Sequence, residues 1–240
     1  MNTISRRQFI REHSLAAVSA PLILSTQFRS PNERLRLGVI GCGGRGKQLM
    51  RIFNQFNDVE IAMISDVLEP RMNSAMDELE QMGLEKLPQQ VVFHERILER
   101  KDIDAVVIAT TQHWHGIPFI QACQAGKHIY IEKPLSHTIV EGRKMVLAAR
   151  TAGVIAVMGT QQRAGEHYQN AVNQIRNGRL GKIALVECWN YHNTGNRVGR
   201  AEDQEPPQGY HWDRWLGPAP EVPYNPARIS GEWWFAYGGG

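Results

Sequence analysis

Between Leu35 and Met158 short apolar runs alternate with segments whose apolar residues recur at helical spacing. The runs predict six strands: Leu35–Ile40, Val59–Ser65, Gln90–Phe93, Ala105–Ala109, His128–Ile131 and Val154–Met158. The intervening segments predict helices over 45–56, 70–82, 117–125 and 140–152. Leu49, Ile52, Phe53 and Phe56 fall on one face of the first helix. Met72, Met76, Leu79 and Met82 line one face of the second. Ala105-Val106-Val107-Ile108-Ala109 has no polar position, the pattern of a central parallel strand buried on both sides. Strands alternating with helices in this way give an α/β fold, a doubly wound parallel Rossmann sheet.

Past Gly165 the rhythm changes. Residues 166–177 read as a helix, Gly178 and Gly181 flank a turn, and residues 182–191 alternate like a longer strand. Residues 193–228, rich in Pro, Gly and Trp, read as a long ordered loop anchored by Trp212, Trp215 and Leu216. Trp233-Trp234-Phe235 reads as another strand or packing segment. One strand and a loop make no closed second core. The expected organisation is therefore a signal and linker over 1–34, a dinucleotide-binding Rossmann domain over 35–160, and over 161–240 the incomplete beginning of an α/β substrate and oligomerisation domain with a large open sheet.

In a doubly wound sheet, ligands sit beyond the carboxyl ends of the strands. Five clusters fall there: Gly41–Gly46, Asp66, Thr110–His115, Glu132-Lys133-Pro134 and Gly159–Arg163. Gly41-Cys42-Gly43-Gly44-Arg45-Gly46 follows a strand, opens a helix and precedes an acid by about 20 residues, the full context of a dinucleotide fingerprint. Gly41 permits the tight turn, Gly43 admits a pyrophosphate, and Gly46 allows close helix–strand packing. The helix N-terminus, with Gly44 and Arg45, offers N–H groups to phosphate. Asp66 accepts hydrogen bonds from the adenosine ribose hydroxyls and repels a 2′-phosphate, which favours NAD over NADP.

The chain has 240 residues, 42% hydrophobic and 21% charged, with a formal net charge of +3. No basic stripe with interleaved aromatics points to a nucleic-acid partner. Cys42, Cys123 and Cys188 are too widely spaced for a metal motif, and His113 with His115 is a pair lacking further ligands, so no metal site is expected. Ser5-Arg6-Arg7-Gln8-Phe9-Ile10, followed by the apolar run Leu15–Leu24, reads as a twin-arginine export signal. The run is too short for stable membrane insertion. The expected location is the periplasm, or otherwise outside the cytoplasm by the twin-arginine route. Twin-arginine export carries folded protein, which suits a dinucleotide bound in the cytoplasm and recycled in place.

Taken together, Gly41–Gly46, Asp66, Thr110-Thr111-Gln112-His113-Trp114-His115, Glu132-Lys133-Pro134 and Gly159-Thr160-Gln161-Gln162-Arg163 resemble the Gfo/Idh/MocA oxidoreductase family, from about Arg36 onward. Trp212-Asp213-Arg214-Trp215-Leu216-Gly217-Pro218 resembles its exported branch. The resemblance implies hydride transfer between NAD(P) and a secondary hydroxyl of a sugar, cyclitol or related polyol, in a homo-oligomer when the chain is whole. It implies that Lys133 is catalytic and meets substrate, stabilising alkoxide character or relaying the proton. Glu132 braces the loop or contacts the nicotinamide ribose. Thr110, Thr111, His113 and His115 would line the nicotinamide half, and Gln161, Gln162 and Arg163 would face nicotinamide or substrate. The family's histidine base lies in a segment after Gly238-Gly239-Gly240; His167, His192 and His211 match no such motif. Two alternatives share the fold: an NAD-using glycosidase that oxidises a sugar hydroxyl transiently, and a non-catalytic sugar-binding protein. Glycosidase members differ from Glu-Lys-Pro at the lysine, so Lys133 favours the dehydrogenase.

Overall fold

The computed structural model describes residues 34–84, 86–189 and 201–230. Six parallel strands form one sheet: β1 (Leu35–Ile40), β2 (Val59–Ser65), β3 (Gln89–Val91), β4 (Ala105–Ile108), β5 (His128–Glu132) and β6 (Ala156–Gly159). Their spatial order is β3-β2-β1-β4-β5-β6, the doubly wound Rossmann arrangement. The chain reverses direction of travel between β1 and β4, whose pairing runs Leu37↔Ala105 to Ile40↔Ile108. That is the topological switch point, where ligand crevices form.

Period-two alternation divides the core into two layers. Leu37, Val39, Ala105 and Val107 join Leu49, Met50, Met72 and Leu79 of helices α1 (Gly44–Phe53) and α2 (Glu69–Gln81). Ile40, Val106, Ile108 and Ile131 face the other way, onto Phe119 of α4 (Gly116–Gln124) and Met145 of α5 (Ile139–Ala152). The short α3 (Glu95–Leu98) adds Ile97 to this second layer. All four β4 residues are buried, as the unbroken apolar run requires.

Several local expectations change. The first helix stops at Phe53, because Asn54 ends the ladder; Phe56 and Ile52 are exposed and Met50 takes the core position. Met82 lies past the end of α2 and is exposed, while Ala75 packs inward. The third strand ends at Val91, and Phe93 instead lies under the Arg214 guanidinium, 4.5 Å from its ring centre.

Helix α6 (Glu166–Arg176) forms as expected but buries no residue. Residues 182–189 are not a strand: among the described residues they have no paired strand neighbour, they are exposed throughout, and alternation without a pairing partner does not make a sheet. The rest of that expected strand, the segment Trp233-Trp234-Phe235 and the export signal lie outside the described residues.

Residues 201–230 are not merely loop. They contain α7 (Trp212–Leu216) and α8 (Pro226–Ser230), and this tail docks on the sheet's carboxyl edge. Trp212, Trp215, Leu216 and Tyr224 close an apolar cluster over Leu68. Backbone bonds tie it down: His211 N–H donates to the Val67 carbonyl (3.0 Å) and Glu69 N–H to that of Gly209 (2.9 Å).

Candidate active site

A cavity of about 430 Å³ opens over the carboxyl ends of β1, β2, β4, β5 and β6. Gly41, Gly43, Gly44, Arg45, Asp66, Thr110, Thr111, Glu132 and Lys133 all line it, so nine of the expected residues meet in one space. Gly46 does not line it but shapes it. Gly41 has φ +96°, and a Cβ there would press on the Ala109 and Thr110 backbone at 2.7–2.9 Å. A Cβ on Gly46 would overlap the Gly41 carbonyl oxygen. Gly43 and Gly44 are different, since Gly44 has no protein atom within 4 Å of an added Cβ and Gly43 only Arg71 Nη1 at 3.7 Å. The turn is thus packed on its inner side and bare on the cavity side. Helix α1 starts there with no side-chain cap, leaving N–H groups for an anion.

Asp66 is buried, and its carboxylate accepts from Cys42 N–H (2.8 Å) and Leu68 N–H (2.9 Å). Burial raises its pKa, opposed by the Leu68 amide, the charge of Arg71 and the Cys42 amide. Thr110 Oγ1 is buried at the cavity with no hydrogen-bond partner among the described residues. An orphaned hydroxyl, a bare glycine turn and a braced carboxylate are the fittings a dinucleotide needs.

At the other end, Glu132 is buried and accepts from Arg45 Nε (2.8 Å), with Arg45 Nη2 at 2.7 Å. The Lys133 N–H also faces Glu132 Oε2, at 3.3 Å. Glu132 therefore braces the loop that carries Lys133 and joins it to the glycine turn. Lys133 is exposed on the cavity wall.

Four expected contacts are absent. His113 does not line the cavity: it is buried, and its Nε2–H donates to the Trp215 carbonyl (2.9 Å), which also accepts from Trp114 Nε1–H (2.9 Å). His115 is buried between the Pro134 carbonyl (Nδ1, 2.6 Å) and the Thr110 carbonyl (Nε2, 3.2 Å), holding the β4 and β5 loops together from behind. Gln162 and Arg163 are exposed and do not line the cavity; of that cluster Gln161 reaches the wall. These residues lie on or beside the short 3₁₀ turns Gln112–Trp114 and Gln161–Ala164. His211 bonds Glu69 (2.8 Å) and serves tail docking. Among the described residues no cluster of three metal-ligating side chains exists, and no helix is long and apolar enough to cross a membrane.

Sequence reasoning did not place Arg71, His94, Arg214 or Trp215 on the wall, although it took Trp215 as an anchor of the tail. Arg71 was readable as the first turn of the helix after Asp66. Arg214 and Trp215 arrive by tertiary docking, which no local pattern announces.

His113 sets a pH limit on that docking. Burial pushes its imidazole down to about 4 from the ordinary 6.5, against the opposing Trp215 carbonyl. Between those two values the unfolded chain binds a proton that the folded ring refuses, so stability falls as pH falls through the window and is indifferent to this group above it. The thermal midpoint is expected to drop across that interval, and His113→Gln to flatten the slope. An identical slope in the variant counts against a neutral buried ring.

The sequence model of the Gfo/Idh/MocA oxidoreductase family, NAD-binding Rossmann fold, matches residues 35–160. The chain belongs to that family. Among Gfo/Idh/MocA relatives, a glycosyl hydrolase family 109 protein of Solibacter usitatus is 28% identical over 198 residues, covering 76% of this chain and 45% of that protein. The myo-inositol 2-dehydrogenase of Thermotoga maritima is 30% identical over 148 residues, covering 62% and 42%. The scyllo-inositol dehydrogenase of Lactobacillus casei, solved with NAD(H) and scyllo-inositol bound, superposes with a TM-score of 0.55 at 22% identity, over 62% of this chain and 43% of its own, a likeness of fold. This Gfo/Idh/MocA chain spans less than half the length of these relatives.

Proposed function

We propose that the protein is an NAD-dependent oxidoreductase acting on a secondary hydroxyl of a sugar, cyclitol or related polyol. One observation carries the reading: a bare glycine turn, a braced ribose-type carboxylate and an uncommitted lysine share a single cavity. Bound NAD supplies the hydride acceptor. The amides at Gly43 and Gly44 hold its diphosphate, Asp66 its adenosine ribose hydroxyls, and Thr110 offers its orphaned hydroxyl. Lys133 meets the carbinol oxygen, where its ammonium stabilises negative charge as it develops or, as the neutral amine, the side chain takes up and relays the hydroxyl proton. Glu132 and Arg45 keep that lysine's loop in place, and His115 fastens it from below. Residues 161–240 begin the substrate domain; the exposed Val172 and Ile175 of α6 support a packing partner other than the Rossmann sheet. The twin-arginine pattern of Ser5–Ile10 supports export to the periplasm with the dinucleotide retained, and the family resemblance supports a homo-oligomer.

The glycosyl hydrolase relatives favour a second reading, in which oxidation of a sugar hydroxyl is transient and assists loss of the glycosidic substituent. A panel of polyols and aryl glycosides separates the two. Net growth of reduced nicotinamide absorbance with a polyol is the expected result. Aglycone release without net reduction establishes the second reading, and silence in both assays removes both.

A further inference from the structure

The cavity draws its walls from two parts of the chain. One is the carboxyl edge of the sheet; the other is the docked tail, which contributes Arg214, Trp215 and Ile229. Where the tail is fastened says which half it covers. It holds the loop after β2 through the Val67 carbonyl, the Glu69 N–H and a bridge between Leu68 and Tyr210. It holds the segment after β3 through Arg214, which pairs with Glu95 at 2.5 Å and lies over Phe93. It holds the loop after β4 through the Trp215 carbonyl, which accepts from His113 and Trp114. Lys133 and Gln161 stand after β5 and β6, toward the other edge of the sheet. The tail therefore roofs the Asp66 half of the cavity.

The roof is closely fitted. A Cβ on Gly217 would overlap the Trp114 ring, and Trp212 stacks on Trp215 with ring centres 4.7 Å apart. Trp212 does not line the cavity, so a residue outside it fixes one that does. Over Asp66 the wall is apolar and aromatic, from Val67, Val92, Trp114, Trp215 and Ile229, with the Arg214 guanidinium among them. Such a surface suits a flat nucleobase, through stacking and cation–π contact.

Resting on the dinucleotide reading above, we infer that the tail is a strap over the adenine: Trp215 and Arg214 hold the base against the sheet edge, and the dinucleotide leaves only when α7 lifts. Retention is then a property of tail docking. The two are reciprocal: whatever loosens the tail hastens release, and bound dinucleotide tightens the tail by the same factor.

The test uses the full chain with NAD and AMP as probes. It measures the release rate of NAD, the calorimetric affinity for each, and amide exchange at His211 and Glu69, whose N–H groups cross between tail and sheet. The variants are Trp212→Ala, which takes the backing from Trp215, and His211→Ala, which removes the 2.8 Å contact with Glu69 outside the cavity. NAD is expected to slow exchange at both amides about fivefold or more. Trp212→Ala is expected to release NAD about tenfold faster or more and to lose affinity for NAD and AMP alike; His211→Ala should release NAD about two- to fivefold faster. Tail exchange that ignores NAD overturns the inference, as does an unchanged release rate in Trp212→Ala. Weaker NAD binding with undiminished AMP binding also overturns it, because the roof then covers the nicotinamide instead. Should Trp212→Ala not fold, the wild-type exchange and the His211→Ala release rate decide the question alone. Failure of the wild type to bind either nucleotide defeats the dinucleotide reading itself, a result distinct from failure of this one.

Discussion

Gly43→Ala is expected to fold as well as the wild type and to bind NAD roughly tenfold to a hundredfold more weakly, whereas Gly46→Ala is expected to lose fold stability. The two glycines are three residues apart in one turn and differ in what surrounds them. A Cβ on Gly43 meets only Arg71 Nη1, at 3.7 Å, an ordinary contact, and its φ of −65° suits any residue. Stability should then change by no more than about 0.5 kcal/mol. The same methyl stands where the diphosphate must approach the backbone. Overpacking of that kind costs about 1–3 kcal/mol, which gives the stated loss of affinity. At Gly46 the methyl meets the Gly41 carbonyl oxygen instead. Helix α1 has to move off β1, at a cost of about 3 kcal/mol or more. Urea unfolding and calorimetric titration on both variants check this. An undiminished NAD affinity in Gly43→Ala removes the diphosphate from the turn, and an unchanged unfolding midpoint in Gly46→Ala removes the close helix–strand packing.

What could be read from the chain follows a physical division. Gly41, Gly46 and Asp66 were legible because their roles are local. A strand, a turn too tight for a Cβ and an acid at the next strand's end are all written between Leu35 and Asp66, and β4 announces itself through four consecutive apolar positions. The sheet order then follows from handed crossovers, and with it the meeting of five loops at one edge. His113 was misread for the opposite reason. Its neighbourhood looks like a cavity loop, and only the docking of Trp215, 102 residues away, turns the ring inward to meet a carbonyl. His115 shares that fate through the Pro134 carbonyl. Residues 182–189 show the limit of periodicity: alternation predicts a strand, but hydrogen bonding to a neighbour is what makes one. Arg71 lay within reach of local reasoning. It was overlooked because Asp66 alone sufficed for a fingerprint, although a helix that starts at a strand's carboxyl end necessarily presents its first turn to the same crevice.

Lys133→Met should lower the turnover number for polyol oxidation by about 10²–10⁴-fold while leaving the fold and NAD affinity nearly untouched. The expectation rests on how differently Glu132 and Lys133 are held. Glu132 is buried, bound by Arg45 at 2.8 Å and tied to the glycine turn, so its replacement disturbs structure as well as chemistry. Lys133 is exposed, and its ammonium has no protein partner among the described residues. Removing it breaks no contact and should shift stability by about 0.5 kcal/mol at most. Methionine keeps the length and apolar stem while deleting the charge and the proton. A loss in turnover at constant NAD affinity and constant unfolding midpoint therefore isolates an interaction made as charge develops on the carbinol oxygen. The comparison variant is Glu132→Gln, which keeps the shape but weakens the hold of Arg45. It should reduce turnover less and lower the unfolding midpoint more. If Lys133→Met turns over polyol at the wild-type rate, the ammonium has no part in the chemistry, and the cavity's reactive group must come from a segment other than the β5 loop.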